Sequence, residues 1–458
     1  MPISGPHSTP GAREHFLKFV WPRFPAADSG WLDVRTYLHG PVQSNAVVAG
    51  RLRKSKDSWQ IESGGASLLF TFATSLQWLR TCQAPASEDL FCDGDLLAIQ
   101  ILKNPERNRF SSVQIEVAVA EAVLLLAPNE LTTDESSAEQ STFTVRRSEQ
   151  WATFLSEIRA YFKSHDFIEV QTPTLVPSPG TEPFLDPFST EWFLGSRTRT
   201  FFLPTSPEFH LKQLLSRGWT RIFELKTCFR NGEIGEHHQP EFLMLEWYRA
   251  YSNLEAIAND VEGLLQVLAK GFARPVPPLR RTTISELFAE AFDGFHLLPS
   301  TNRKELATLA LENDIKFDSS DSFDDVFFRI FLEKIEPTLG AEGPLLVSHY
   351  PPSQAALSRI GEHGFAERFE IYWRGLELAN AFHELNDPFE NETRFAEDAA
   401  KKSELRKRAV PRDENLIRAL KMGMPPSGGI ALGVDRLFMA LFEIEEISQT
   451  RAFSAERP

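Results

Sequence analysis

CFRNGEIGEHHQPEFLMLEWYRAY, residues 228–251, sets an arginine, two adjacent histidines and several carboxylates ahead of an aromatic-rich run. From Pro240 the run alternates with period two. A strand there places Phe242, Met244, Glu246 and Tyr248 on one face and Leu243, Leu245 and Trp247 on the other. The first face is polar and aromatic; the second suits a core. The preceding run RIFELKTCFR, residues 221–230, reads as a second strand, and the charged, glycine-containing segment Asn231 to Gln239 reads as the hairpin loop between them. Taken alone, Arg230 is as well read as a structural arginine. With histidines on the adjoining loop, an arginine at a strand end can hold phosphates, and the constellation reads as an ATP site.

Two later segments extend the pattern. FEIYWRGLELANAFHELND, residues 369–387, interleaves carboxylates with apolar residues, and SGGIALGVDRLFMALF, residues 427–442, is a glycine-rich strand running into a helix with an early arginine. The three segments, in this order and spacing, resemble the class II aminoacyl-tRNA synthetases of the lysine, aspartate and asparagine subclass. The first resembles motif 2, the second the amino-acid and metal strand of the lysyl enzymes, and the third motif 3. The resemblance covers about residues 145–458.

Composition bounds the rest of the chain. Its 458 residues, 42% of them hydrophobic, suffice for two or more buried cores. No apolar run spans a bilayer, and the N-terminus lacks a basic region followed by an apolar core, so a cytoplasmic location is expected. Cys82, Cys92 and Cys228 lack metal-site spacing and read as reduced thiols. A net charge of −15 argues against broad non-specific binding of nucleic acid. The densest basic run, KKSELRKR at 401–408, reads either as a solvated helix face or as a docking surface for an acidic partner.

The polar, acidic stretch 127–144 reads as a linker. Ahead of it AVVAGRLR, SWQIES, ASLLFTF, DLLAIQILK and SVQIEVAVAEAVLLL read as five short strands, suggesting a small OB-like barrel within residues 1–126, its strands at about 46–125. Trp59, Phe70 and Phe72 suit the barrel core better than base stacking. Residues 1–145 carry 12 Lys and Arg against 16 Asp and Glu, which does not favour tight anticodon binding. After the linker, Trp151, Phe154, Leu155, Ile158 and Phe162 recur at helical spacing behind a candidate Ser148 cap, and FIEVQTPTL continues into an extended segment. This resembles motif 1, which implies a homodimer. Residues 270–345 read as a helical insertion in which Val326, Phe327, Ile330, Phe331 and Ile335 form a core stripe. The expected fold is α+β: a class II synthetase domain, an antiparallel sheet flanked by helices, behind a small all-β barrel.

The resemblance implies activation of an amino acid by ATP to an aminoacyl-adenylate with release of pyrophosphate. Such chemistry needs positioning and charge stabilisation more than a protein nucleophile. It implies catalytic roles for Arg230, on the α-phosphate and the amino-acid carboxylate, and for Arg436, on the γ-phosphate. His238 assists on the loop, Phe242 stacks on adenine, Glu233 belongs to the ATP site, and Glu370 and Glu377 hold Mg2+. For the substrate, Glu208 meets the backbone amine, Glu246 and Glu384 grip a side-chain ammonium beside Tyr248, and Asn380, Phe382 and Ala431 complete the pocket. Two charge-assisted hydrogen bonds discriminate an amine from a neutral side chain by roughly two to four orders of magnitude, less the desolvation cost. The substrate implied is lysine or a lysine isomer.

The strings TSPE, MLEWYR, ELANAFHEL and ALGVDRL resemble most the elongation factor P lysine ligases, which transfer (R)-beta-lysine from its adenylate to a lysine of that translation factor. Ala379 and Ala431 stand where lysyl-tRNA synthetases usually have glycine. Gly232 stands where motif 2 usually has glutamate, Glu233 follows it, and Glu236 takes the place of an arginine. Three readings stay open: a protein-lysylating ligase, a lysyl-tRNA synthetase whose acceptor is tRNA, and a regulatory paralogue that binds lysine without activating it.

Overall fold

The computed structural model describes residues 145–453 and 455 and, ahead of them, 32–33, 46–54, 59–63, 66–78, 91, 95–101 and 118–127. Apart from Ala127, the expected linker lies outside the described residues, as do Cys82, Cys92 and the side chain of Phe72. The chain forms two compact units, Met1–Arg147 and Ser148–Pro458.

The first unit contains strands β1 (Leu32–Asp33), β2 (Val47–Lys54), β3 (Trp59–Ser63), β4 (Ala66–Trp78), β5 (Leu96–Ile101) and β6 (Ala118–Ala127). The last five occupy the five runs read from sequence. β2, β3 and β4 form an antiparallel meander, β6 runs parallel to β4, and β5 joins β6 to β2, closing a five-stranded barrel with OB-fold connectivity. Val48, Leu52, Ile61, Phe70, Leu97 and Ile99 fill it. Trp59 is half-buried, with the Lys54 ammonium 5.0 Å above its ring.

Helix α1 (Val145–Ser164), which lies in the second unit from Ser148 onward, is followed by strand β7 (Ile168–Glu169). Ser148 lies inside the first turn of α1 rather than capping it, because the helix starts at Val145. The hairpin β8 (Ser189–Leu194) and β9 (Arg197–Phe202) is a separate sheet. Helix α2 (Glu208–Leu215) leads to β10 (Arg221–Phe229), β11 (Glu241–Ala250) and helix α3 (Leu254–Gly271). The insertion contributes β12 (Arg280–Thr283), α4 (Ile284–Ala291), α5 (Arg303–Glu312) and α6 (Phe323–Ile330). Its helices begin at reciprocal caps, Thr283 with Glu286, Asn302 with Glu305 and Ser322 with Asp325. There follow β13 (Leu345–Tyr350), β14 (Ala366–Trp373), β15 (Leu376–His383), α7 (Pro388–Glu404), α8 (Glu414–Gly423), β16 (Ser427–Gly433) and α9 (Val434–Phe442).

Eight strands make one sheet in the order β12-β13-β14-β15-β16-β11-β10-β7. The six central strands are antiparallel as predicted, but β12 and β7 run parallel to their neighbours, so the sheet is mixed. β12 also shows that the insertion is not wholly helical. Its apolar stripe does form a core, in which Val326, Phe327, Ile330, Phe331 and Ile335 pack with Val347 and Tyr372 of the sheet.

The segment 369–387, expected as one strand, folds as a hairpin. Arg374 and Gly375 both take positive φ, 56° and 73°, which is the two-residue turn that matches strand twist. Across it Tyr372 pairs with Glu377 but Ile371 pairs with Ala379, so Leu378 is an extra, bulged residue. The bulge reverses strand parity, so Glu377 and Asn380, three residues apart, both leave the core side while Leu378 and Ala379 both enter it.

The back of the sheet is covered by α1, α3 and α9, with Leu245, Trp247, Phe369, Ile371, Ile430 and Leu432 turned toward them. Phe162 is central. Its ring stacks on Phe223 at 4.8 Å, meets Phe167 edge-on at 5.1 Å and lies 5.1 Å from Trp247. Truncation to Phe162→Ala should destabilise this unit by about 3–5 kcal/mol, read as a lower midpoint in denaturant melts, whereas an unchanged midpoint would remove Phe162 from the core.

Candidate active site

Directly opposed residues of neighbouring strands share a face, and the pairings carry a polar row across the front of the sheet. It runs from Glu224 on β10 through Glu246, Ala431 and Asn380 to Glu370 on β14. A second row holds Tyr248, Gly429, Phe382 and Arg368. Six residues expected in the site, Glu246, Tyr248, Ala431, Asn380, Phe382 and Glu370, therefore lie on one face. Glu384 stands one residue beyond β15 and extends its line, its N–H donating to the Ser427 carbonyl at 2.9 Å. A Cβ on Gly429 would come within 2.2 Å of Glu384 Oε1 and 2.3 Å of Tyr248, so glycine is what lets these two side chains close over the sheet there.

One end of this face is acidic. Glu246 is 1% exposed and accepts hydrogen bonds from Ser206 Oγ at 2.5 Å and Tyr248 Oη at 3.2 Å. Ser206 Oγ also accepts the Glu208 N–H at 2.9 Å, which ties the start of α2 to β11. Burial, with Glu208 nearby, pushes the Glu246 carboxyl well above the usual range. Glu384 is equally buried and is held up to about 7, chiefly by burial. Sequence reasoning missed Lys212, whose Nζ lies 2.5 Å from both Glu208 Oε1 and Glu384 Oε2. The available signal was its position four residues after Glu208 on a helix. Glu182, another acid not foreseen, is raised by burial and by Glu208.

The other end is cationic. The Arg230 guanidinium lies 5.1 Å over the Phe242 ring and 3.8 Å from Glu233. Its Nε is buried without a partner, a donor left free for an anion. Gly232 takes φ +82°, a conformation that disfavours the usual glutamate, and the turn brings the next residue, Glu233, back to Arg230. The Glu236 carbonyl accepts the Ile447 N–H at 2.8 Å, pinning the loop while its side chain is exposed. In the first turn of α9, Arg436 donates to the carbonyls of His237 and Glu377 and to His238 Nε2, the last at 2.6 Å. A guanidinium cannot accept, so His238 Nε2 accepts and the imidazole is neutral. Partial desolvation and Arg436 both hold His238 below its usual value.

Glu370 is already engaged: Arg368 Nη2 and Tyr350 Oη donate to it, and Tyr372 Oη does so at 2.6 Å. The sequence reading missed all three, although Arg368 and Tyr372 are its strand-alternate neighbours. Glu377 is held up to about 7 by burial and by Glu370. Among the described residues no three His, Cys, Asp or Glu side chains form a metal site by themselves.

In the basic run at 401–408, Lys402 donates to the carbonyls of Glu182 and Leu185, Lys407 bridges to Asp186 at 2.9 Å, and Arg408 donates to Ser189 Oγ, so three of its cations fasten the stretch 182–189 leading into β8.

The mixed sheet, the hairpin ending in Arg230 and the strand-to-helix turn bearing Arg436 define the catalytic domain of a class II synthetase. Residues 136–457 match the family of tRNA synthetases class II (D, K and N), and the chain belongs to it. More particularly, it is 38% identical over 311 residues to the elongation factor P–(R)-beta-lysine ligase of Haemophilus influenzae (strain PittGG), covering 67% of this chain and 94% of that one. It is likewise 38% identical over 313 residues to the elongation factor P–(R)-beta-lysine ligase of Edwardsiella ictaluri (strain 93-146), again covering 67% and 94%. Among the described residues no helix is long and apolar enough to cross a membrane.

Arg436→Ala should raise the pKa of His238 toward its usual value, because the largest charge opposing protonation is gone. An NMR titration of the imidazole reads this directly; an unmoved His238 would break the assigned pair.

Proposed function

We propose that this chain activates lysine or (R)-beta-lysine with ATP and transfers it to a lysine of elongation factor P. The observation that carries the reading is Glu246: a buried carboxylate held by two hydroxyls, without a cation among the described residues, beside Tyr248 and Glu384, which close over Gly429. Such a group is stabilised by an ammonium brought from outside. The acceptor follows from the names of the similar ligases. The chain would act in the cytoplasm as a homodimer through α1 and the strand after it, where Val145, Ile168 and Leu175 expose apolar side chains.

In the first step a substrate carboxylate oxygen attacks the α-phosphorus of ATP, the bond to the bridging oxygen breaks, and pyrophosphate leaves. Arg230, with its free Nε–H, holds the carboxylate and the α-phosphate and stabilises charge developing there. Phe242 carries the adenine, Arg436 and His238 hold the γ-phosphate, and Glu233 steadies Arg230. Glu208 orients the backbone amine, Glu246 and Glu384 with Tyr248 receive the second amine, and Asn380, Phe382 and Ala431 line the space between. In the second step an uncharged acceptor amine attacks the acyl carbon, AMP leaves with the bonding pair, and the amine gives up a proton to form the amide.

Two carboxylates, Glu370 and Glu377, suit Mg2+ as hard oxygen donors, since that ion takes most remaining ligands from water and phosphates. Burial and then the like charge of Glu370 raise Glu377, and the second of these is the kind of repulsion a divalent cation relieves. When bound, the ion neutralises phosphate charge.

The test is lysine-dependent exchange of pyrophosphate into ATP, followed by transfer to elongation factor P or to tRNA. Exchange with label on the protein is expected; label on tRNA alone would restore a synthetase, and absence of exchange would leave a binding paralogue. Arg230→Ala should abolish exchange, and retained exchange would refute its role. Glu246→Gln should raise the KM for lysine by roughly 10- to 150-fold, the value of one charge-assisted hydrogen bond; an unchanged KM would exclude it from the pocket.

A further inference from the structure

Lys212 is the buried charge that the steps above do not use. It is 2% exposed on α2, whose other buried residues are Phe209, Leu211, Gln213 and Leu215, so it is the one charged side chain among them. Burial of an ammonium is costly unless it is paired. Here the ammonium sits between two carboxylates from elements far apart in sequence, Glu208 on its own helix and Glu384 past β15, at 2.5 Å from each.

We propose that Lys212 is a positioning and specificity-determining residue: its ammonium fixes Glu208 and Glu384 in place and keeps Glu384 ionised, and so leaves Glu246 as the carboxylate open to the amine of the substrate. The inference rests on the lysine-pocket reading. The groups around the ammonium are Glu208 on α2 and Glu384 beyond β15, with Glu246 and Tyr248 on β11 and Glu182 ahead of β8 completing the acidic set. Burial opposes the charge on Lys212, but Glu208 and Glu384 outweigh it and raise its pKa. In return Lys212 is the main influence lowering Glu384, which even so stands at about 7. Without the ammonium, Glu384 rises further and Glu208 loses its partner. A proton then occupies Glu384, which must be ionised to receive an ammonium, and the substrate amine competes with it.

The test uses the full-length protein and lysine-dependent exchange of pyrophosphate into ATP between pH 6 and 9. In Lys212→Met the KM for lysine should rise about tenfold at pH 7 and recover as the pH is raised, the acid limb moving upward by about one unit relative to the unsubstituted protein. Lys212→Gln keeps a hydrogen-bonding group between the two carboxylates without its charge. It carries the same expectation and covers the case in which the methionine variant does not fold. A purely structural lysine would change stability or kcat at every pH and leave the limb in place. Limbs that superimpose on that of the unsubstituted protein would overturn the proposal. Absence of lysine-dependent exchange in the unsubstituted protein would overturn the function proposed above instead.

Discussion

Carboxylates removed from water must be paired or give up their charge, and four in or beside the front face of this sheet, Glu224, Glu246, Glu370 and Glu384, are each more than nine-tenths buried. Three have a resident cation: Lys226 for Glu224, Arg368 for Glu370 and Lys212 for Glu384. Each pair also fastens the fold. Lys226 and Glu224 hold the segment after β7 through Thr172, Arg368 reaches the Gln354 carbonyl, and Lys212 joins α2 to the end of β15. Glu246 is the exception, with hydroxyl partners only among the described residues. Of these four carboxylates it is therefore the one at which an ammonium from outside is favoured.

The sheet makes this arrangement possible. Back-face residues anchor the strands against α1, α3 and α9, so the front can carry polar side chains without loss of a core. The bulge at Leu378 turns Glu377 and Asn380 to the same side, which brings the two ends of the site onto one continuous surface. Asp435, next to Arg436, accepts from the Leu243 N–H at 2.7 Å and from Arg451, locking the turn that presents Arg436 to strand β11. The cationic and acidic ends are therefore spaced by strand register rather than by loops, and preorganisation of this kind lets fixed charges act on a transition state.

Much of this was legible because the signals were local. Period-two alternation after Pro240 placed Glu246 and Tyr248 on one face, and the glycine-rich run ahead of Val434 marked the strand-to-helix turn that carries Arg436. What was not legible depends on residues distant in sequence. The ammonium of Lys212 meets Glu384 across 172 positions. Tyr350 reaches Glu370 from another strand, and the parity reversal at Leu378 follows from a pairing irregularity that the string LELANAF does not announce. Nor does the string CFRNGE announce that Gly232, standing where motif 2 usually has glutamate, takes a positive φ in a turn that returns Glu233 to within 3.8 Å of Arg230.

The central claim is that Glu246 and its neighbours form a pocket for an ammonium, and calorimetric titration of the protein with lysine and with norleucine, which has the same aliphatic chain but no terminal amine, tests it most directly. The account expects lysine to bind roughly a hundredfold or more tightly than norleucine, the combined effect of about two charge-assisted hydrogen bonds after desolvation. Equal affinities would contradict it.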